Sequence, residues 1–318
     1  MIKLPLNEGL PPFNFPSVID STMRSTMASC STKFLWEWLY RLTPVETSTD
    51  LHAGAAFACG LEASRRAYYV RNESPDQALA AGVEALIKYW GDFEGDSSNP
   101  KNLLSMIGAL DSYFENYPMQ VDVLAPAIIG GQRAIEFSFA IPIPDTIHPQ
   151  TGDPILYAGR ADMIATLNNG ALFVCDEKTT KQLGANWSRQ WDLRAQFIGY
   201  TWAARTLGKM PIMGTIVRGI SILKYDYGHA SAILYHGDWM IQNWLKQLSR
   251  DVNRALDDWK KAEWDQNFDH SCSAYSGCPF ARLCISEDPS IWLSQYYKRN
   301  MWNPLKKDPT KALEQAGG

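Results

Sequence analysis

The chain has no apolar run long enough to cross a bilayer as a helix. The residues after Met1 lack the basic start and apolar stretch of a secretory leader, so the expected setting is the cytoplasm of a bacterium, an archaeon or a phage-infected host. No internal repeat, low-complexity block or P-loop glycine-lysine motif is present, which excludes repeat architectures and a nucleotide-driven motor. Charge of either sign is not in large excess. A net of -4 argues against a protein that coats nucleic acid non-specifically, yet leaves room for a locally basic groove. In a cytosolic chain, six cysteines read as metal ligands, core residues or free thiols rather than disulfides.

What remains is an ordinary globular composition, 46% hydrophobic and 20% charged over 318 residues. Residues 1–20 read as an extended arm rich in Pro, Asn and Phe, and residues 22–42 as a helix. Further helices are expected over Leu51 to Tyr69, Ser74 to Trp90 and Lys101 to Tyr117. Ser74-Pro75 marks a helix start, with proline at the first helical position. The pattern then changes. Gln132 to Ile143 alternates like a strand, with Pro142 and Pro144 at its exit. Leu156 to Leu167 and Ala171 to Lys178 are apolar runs joined by the turn Asn168-Asn169-Gly170, which predicts a β-hairpin. Asn186 to Leu207 reads as an aromatic-rich helix, Met213 to Tyr225 and Ala230 to Tyr235 as strands, and Trp239 to Trp264 as a long helix. A cysteine-rich tail and a polar end, Lys306 to Gly318, follow. The order predicts a mixed α/β fold around a small sheet.

The hairpin concentrates the chemistry. Asp162 lies on its first strand; Asp176 and Lys178 share one face of its second, with Glu177 turned away. Strand pairing can bring Asp162 beside them. Two carboxylates at one spot repel each other unless a cation sits between them. Hard ions such as Mg2+ or Mn2+ suit such oxygens, and the main-chain carbonyl of Glu177 is a further candidate ligand. Lys178 can orient water or stabilise charge on a phosphorane-like transition state. Gln196 and Tyr200, four residues apart, fall on one face of the following helix. Cys272, Cys278 and Cys284 follow a C-x5-C-x5-C pattern, with Cys30 far upstream. Four thiolates can hold a 4Fe–4S cluster or zinc, and the spacing does not choose between these and unligated cysteines. Cys59 and Cys175 read as core residues.

At Gly159 to Asp162, Asp176 to Thr179 and Gln196 to Tyr200 the chain resembles the RecB-like branch of the PD-(D/E)XK nucleases. That resemblance implies a restriction-endonuclease-like core: a central mixed sheet flanked by helices, preceded by an N-terminal helical region and closed by a C-terminal cysteine clamp. The expected division is 1–120, 121–264 and 265–318 within one integrated nuclease domain. The resemblance also implies metal-dependent DNA cleavage, with Asp162 and Asp176 holding Mg2+ or Mn2+ and Lys178, Gln196 and Tyr200 completing the catalytic set. Relatives often carry a Gly-x-x-aromatic-His helix. Here Gly54-Ala55-Ala56-Phe57 is followed by Ala58, and His52 lies six positions away on another helical face. Glu136, in the apolar run Ala134-Ile135-Glu136-Phe137, is the candidate compensating ligand. AddB-type helicase-nucleases and CRISPR-associated exonucleases pair one early cysteine with three late ones around an iron–sulfur cluster. By that likeness Cys30, Cys272, Cys278 and Cys284 are expected to hold 4Fe–4S, with zinc as the alternative.

Lys181, Arg189 and Arg194, with Arg205 and Lys209, surround the Gln196–Tyr200 segment among Trp187, Trp191 and Trp202. Cations interleaved with aromatics suit single-stranded nucleic acid, although the same residues also fit core tryptophans beneath a solvated face. The expected activity is an exonuclease acting on single strands or DNA ends in recombination, repair, phage replication or CRISPR adaptation, alongside a recombinase or annealing protein. The alternative is a catalytically weak DNA-end-binding accessory protein.

Overall fold

The computed structural model describes residues 13–224, 226–268, 270–273, 277–300 and 302–305. The first part of the expected arm and the polar end from Lys306 lie outside them. The chain divides into two compact units, one of residues 47–139 and 160–241, here the core unit, and one of residues 1–46, 140–159 and 242–318. The fold is mixed α/β, with a central mixed sheet flanked by helices, as in restriction endonucleases.

In the core unit, three helices come first: α1 (Thr49–Tyr69), α2 (Pro75–Trp90) and α3 (Leu103–Asn116). α2 starts where Ser74-Pro75 predicts. Ser74 and Gln77 form a reciprocal capping box, which satisfies amide groups that the first turn leaves unpaired. The strands are β1 (Leu124–Pro126), β2 (Ile135–Ile147), β3 (Pro154–Leu167), β4 (Leu172–Thr180), β5 (Ile212–Ile222) and β6 (Tyr227–Tyr235), of which β2 and β3 belong to the core unit only up to residue 139 and from residue 160. β4 and β5 are parallel and joined by α4 (Ala195–Gly208); β3 with β4 and β5 with β6 are antiparallel. The predicted hairpin is β3–β4. Its turn places Gly170 at φ 82°, a conformation glycine adopts without steric cost.

The sheet has two differently dressed faces. Phe57, Leu61, Leu86, Trp90, Met106, Leu110 and Tyr113 of the three helices form one core cluster with Ile220 and Ile222 of β5. On the opposite face lies α4, where Thr201 and the carbonyl of Phe197 bond Thr215 at 3.3 Å each.

Two expectations about the strands and the helix that follows them need correction. β2 runs through Pro142 and Pro144 to Ile147 rather than ending there. Pro142 and Pro144 sit at exposed positions alternating with buried Ile141 and Ile143, and among the described residues β2 pairs only with β3, an edge position where proline is tolerated. The helix expected from Asn186 is α4, starting at Ala195; a short 3-10 turn, Arg189–Trp191, precedes it.

In the other unit, Asp20 caps the helix Ser21–Ser29 by accepting from the amides of Thr22 and Met23. The expected helix over 22–42 is interrupted at Cys30, whose extended backbone (φ -166°, ψ 122°) ends one helix and caps the next with its sulfur. Strands Leu42–Pro44 and Tyr297–Arg299 pair antiparallel beside a core of Trp36, Leu42, Phe280, Leu283 and Tyr297. The long helix α5 (Asp238–Lys261) contributes Asp251, which pairs with Arg24 at 2.8 Å. No helix among the described residues is long and apolar enough to cross a membrane.

Candidate active site

The β3–β4 register ends at the pair Met163 and Cys175, which leaves Asp162 and Asp176 adjacent in sequence to that last pair. Lys178 Nζ is 2.5 Å from Asp176 Oδ1, and Asp162 Oδ2 accepts from the Glu177 amide at 2.9 Å. Burial and the neighbouring Asp176 and Glu177 charges push the Asp162 carboxyl well above the usual carboxylate range. Burial likewise raises Asp176, against the pull of Lys178. For Lys178, burial disfavours the ammonium, but Asp176 and Asp162 more than offset it and hold the group above an ordinary lysine. The two aspartates and the lysine therefore share one electrostatic site.

The floor of that site comes from β5 and the segment before α4. Gly219 is the register partner of Lys178, and a Cβ there would meet the Trp187 ring, so glycine is required for the indole to lie on the sheet. Trp187 stacks edge-on with Trp191, which in turn meets Phe197. Lys178 Nζ lies 5.7 Å from the Phe197 ring centroid. Trp187 is thus a packing residue, with no open face for a base. Gln196 donates to Tyr200 Oη at 2.9 Å, and the buried Tyr200 ring contacts Phe139 and Phe197.

Arg194 caps the entry to α4, is exposed, and its charge acts on Lys178. Arg189 is also exposed. Lys181 is paired with Asp50 at 3.2 Å. Arg205 is structural, donating to the carbonyls of Ile212 and His236 and to Asp238. Glu136, the second residue of β2, has a left-handed backbone (φ 59°), and its carboxylate lies 3.9 Å from Arg160. His52 bonds the Trp90 carbonyl and stacks on Phe93 with ring centroids 3.9 Å apart, so it belongs to an aromatic nest on α1 and α2.

Glu177, on the opposite face of β4, enters a network that the sequence did not disclose. Arg65 grips its carboxylate with both terminal nitrogens, one at 3.1 Å, and Tyr113 donates to it at 3.0 Å. Arg218 contacts the same tyrosine at 3.2 Å and pairs bidentately with Asp122 at 2.5 and 2.6 Å. Burial pushes the Glu177 carboxyl up, but Arg65 and Arg218 outweigh it and hold the group at about 2. The one available sequence signal was Glu177 itself: an acid inside a buried strand demands a cation from elsewhere.

Residues 22–285 match the profile of the PD-(D/E)XK nuclease superfamily. The chain belongs to that superfamily. Its members are nucleases that use divalent metals, and the Asp162, Asp176 and Lys178 positions carry the residue types of its name. No curated protein matches the chain. A solved structure described as the crystal structure of SSO0001 is similar at 14% identity and a TM-score of 0.31, covering 74% of this chain and 85% of that one; so weak a likeness carries no argument.

A divalent cation fits the donor set. Two buried carboxyl groups share one ammonium, so ionising both leaves negative charge that a hard cation can neutralise. Among the described residues no group of three or more His, Cys, Asp or Glu side chains is gathered as a metal site, neither around the aspartate pair nor among the cysteines expected to hold 4Fe–4S or zinc. In the other unit Cys30, Cys272, Cys278 and Cys284 are free thiols. Burial, and then the charges of Cys278, Cys30 and Cys272, push the Cys284 thiol up to about 11.

Proposed function

We propose that this PD-(D/E)XK protein is a divalent-metal-dependent DNA exonuclease, acting on single strands or DNA ends. The supporting observation is the convergence of Asp162, Asp176 and Lys178 on one face of the β3–β4 hairpin. Asp162, Asp176 and the Glu177 carbonyl would hold Mg2+ or Mn2+. When bound, the cation supplies Lewis acidity at the phosphate and lowers the pKa of water. Lys178 stays protonated beside the aspartates and can place its charge against the phosphoryl oxygens as negative charge builds. Gln196 and Tyr200, bonded to each other, orient groups at the mouth of the site, and the exposed Arg189 and Arg194 meet the phosphate backbone.

Cleavage of end-labelled single- and double-stranded DNA with Mg2+ or Mn2+, comparing wild type with Lys178→Ala, tests this reading. Metal-dependent cleavage lost in the variant supports it, and the label position reports polarity. An inactive wild type would favour the second reading, a DNA-end-binding accessory protein, for which the observation is His52 engaged with Trp90 and Phe93.

The four cysteines carry the proposed iron–sulfur clamp. Within one unit Cys30 approaches the Asp265 carbonyl (3.8 Å), and the Cys278 amide bonds the Cys272 carbonyl at 2.8 Å. A 4Fe–4S cluster there would act as a staple. Cys278→Ala is expected to lose iron and melt earlier; unchanged iron content and melting would count against the clamp.

A further inference from the structure

We propose that Arg65 is a positioning residue for the aspartate pair: by fixing the Glu177 side chain on the far face of β4, it fixes the peptide whose amide bonds Asp162. The inference rests on the reading of Asp162 and Asp176 as the metal-holding pair.

Alternation along β4 places Glu177 between the two site residues of that strand but points its side chain the other way. Its backbone nevertheless belongs to the site, because its N–H donates to Asp162 Oδ2 at 2.9 Å. The orientation of this one peptide therefore sets where the Asp162 carboxylate points. Pairing with β5 holds this stretch of backbone from one side, and a side chain only 2% exposed, gripped by a guanidinium 5% exposed, anchors it from the far face. A two-pronged contact fixes the plane of the carboxylate as well as its position, which a single ammonium does not. Tyr113 adds a third bond at 3.0 Å and carries the network to Arg218 and Asp122. Within that network two arginines balance two carboxylates, so the anchor adds no net charge beside the pair it serves. Groups that orient metal ligands from behind affect affinity without touching the ion.

The competing explanation is that Arg65 only neutralises a buried acid. Two variants separate the two. Arg65→Lys keeps the charge and loses the fork. The double variant Arg65→Met with Glu177→Met removes both charges and replaces them with apolar side chains of similar length. Three readouts are taken: melting, Mn2+ binding followed by the electron paramagnetic resonance of free Mn2+, and residue-resolved exchange of the Glu177 amide in metal-free protein.

Positioning predicts that Arg65→Lys exchanges the Glu177 amide faster and binds Mn2+ about 10- to 100-fold more weakly. It also predicts that the double variant regains melting but not Mn2+ affinity. Wild-type amide exchange and Mn2+ affinity in Arg65→Lys, or recovery of both properties in the double variant, would overturn the proposal. If wild type itself binds no Mn2+, the metal reading fails, while the metal-free amide exchange still decides whether Arg65 holds the peptide.

Discussion

On one face of β4, Asp176 and Lys178 meet Asp162; on the other, Glu177 meets Arg65, Tyr113 and Arg218. Both faces bury acids beside cations a single peptide apart, and those acids move in opposite directions. Glu177 is held at about 2, whereas Asp162 and Asp176 are both pushed up. The difference is in partners rather than in burial. The far face supplies two guanidiniums, one for Glu177 and one for Asp122. The near face supplies one ammonium for two aspartates, and so keeps an appetite for a cation. A satisfied polar network specifies structure, and an unsatisfied one marks chemistry.

The comparison breaks first at activity. Asp176→Asn removes a carboxylate from the near face and is expected to lower metal-dependent cleavage of labelled DNA by at least about 10²–10³-fold, the order of loss seen when one group that stabilises developing charge is removed. The same variant should lose any rise in melting temperature that Mg2+ or Mn2+ gives wild type, since a ligand stabilises only the state it binds. A far-face change that abolished cleavage while leaving folding and metal binding intact would blur the distinction.

Stability separates the faces next. Glu177→Ala strands Arg65 without its carboxylate and is expected to cost about 3–5 kcal/mol in denaturant unfolding, as for a broken buried ion pair. Asp162→Asn should do the reverse in metal-free protein, relieving like-charge repulsion and raising stability by about 1 kcal/mol. Equal destabilisation by both would mean that the near face is as well satisfied as the far one.

The smallest effect is in pH. A glutamate whose folded value is depressed contributes stability that is complete above its unfolded value of roughly 4.3 and is lost as the pH falls through about 2. The stability gap between wild type and Glu177→Gln should therefore narrow across that window. Asp162 has a raised folded value, so its carboxylate opposes folding as the pH rises above the unfolded aspartate value, and the gap between wild type and Asp162→Asn should shrink in acid. Unfolding midpoints measured from neutral pH into acid check both.

Much of this was legible in the sequence. Ser74-Pro75 announced α2, Asn168-Asn169-Gly170 announced the hairpin, and alternation along β4 put Asp176 and Lys178 on one face with Glu177 on the other. Local chemistry governs each of these, and the residues concerned are neighbours in the chain. Pro142 and Pro144 misled because proline's effect on a strand depends on which neighbours that strand pairs with. Trp187 and Trp191 suggested a stacking surface because nothing local shows that Gly219 opens a seat for an indole.

The sequence by itself determined the start of α2, the hairpin and which side chains of β4 share a face, because caps, turns and side-chain alternation act over a few residues. Only the tertiary structure decided which acids are satisfied. Arg65 lies 112 residues from Glu177 and Arg218 lies 96 from Asp122. Whether a buried charge is compensated depends on which side chains the fold brings within a few ångströms, and no local pattern carries that information.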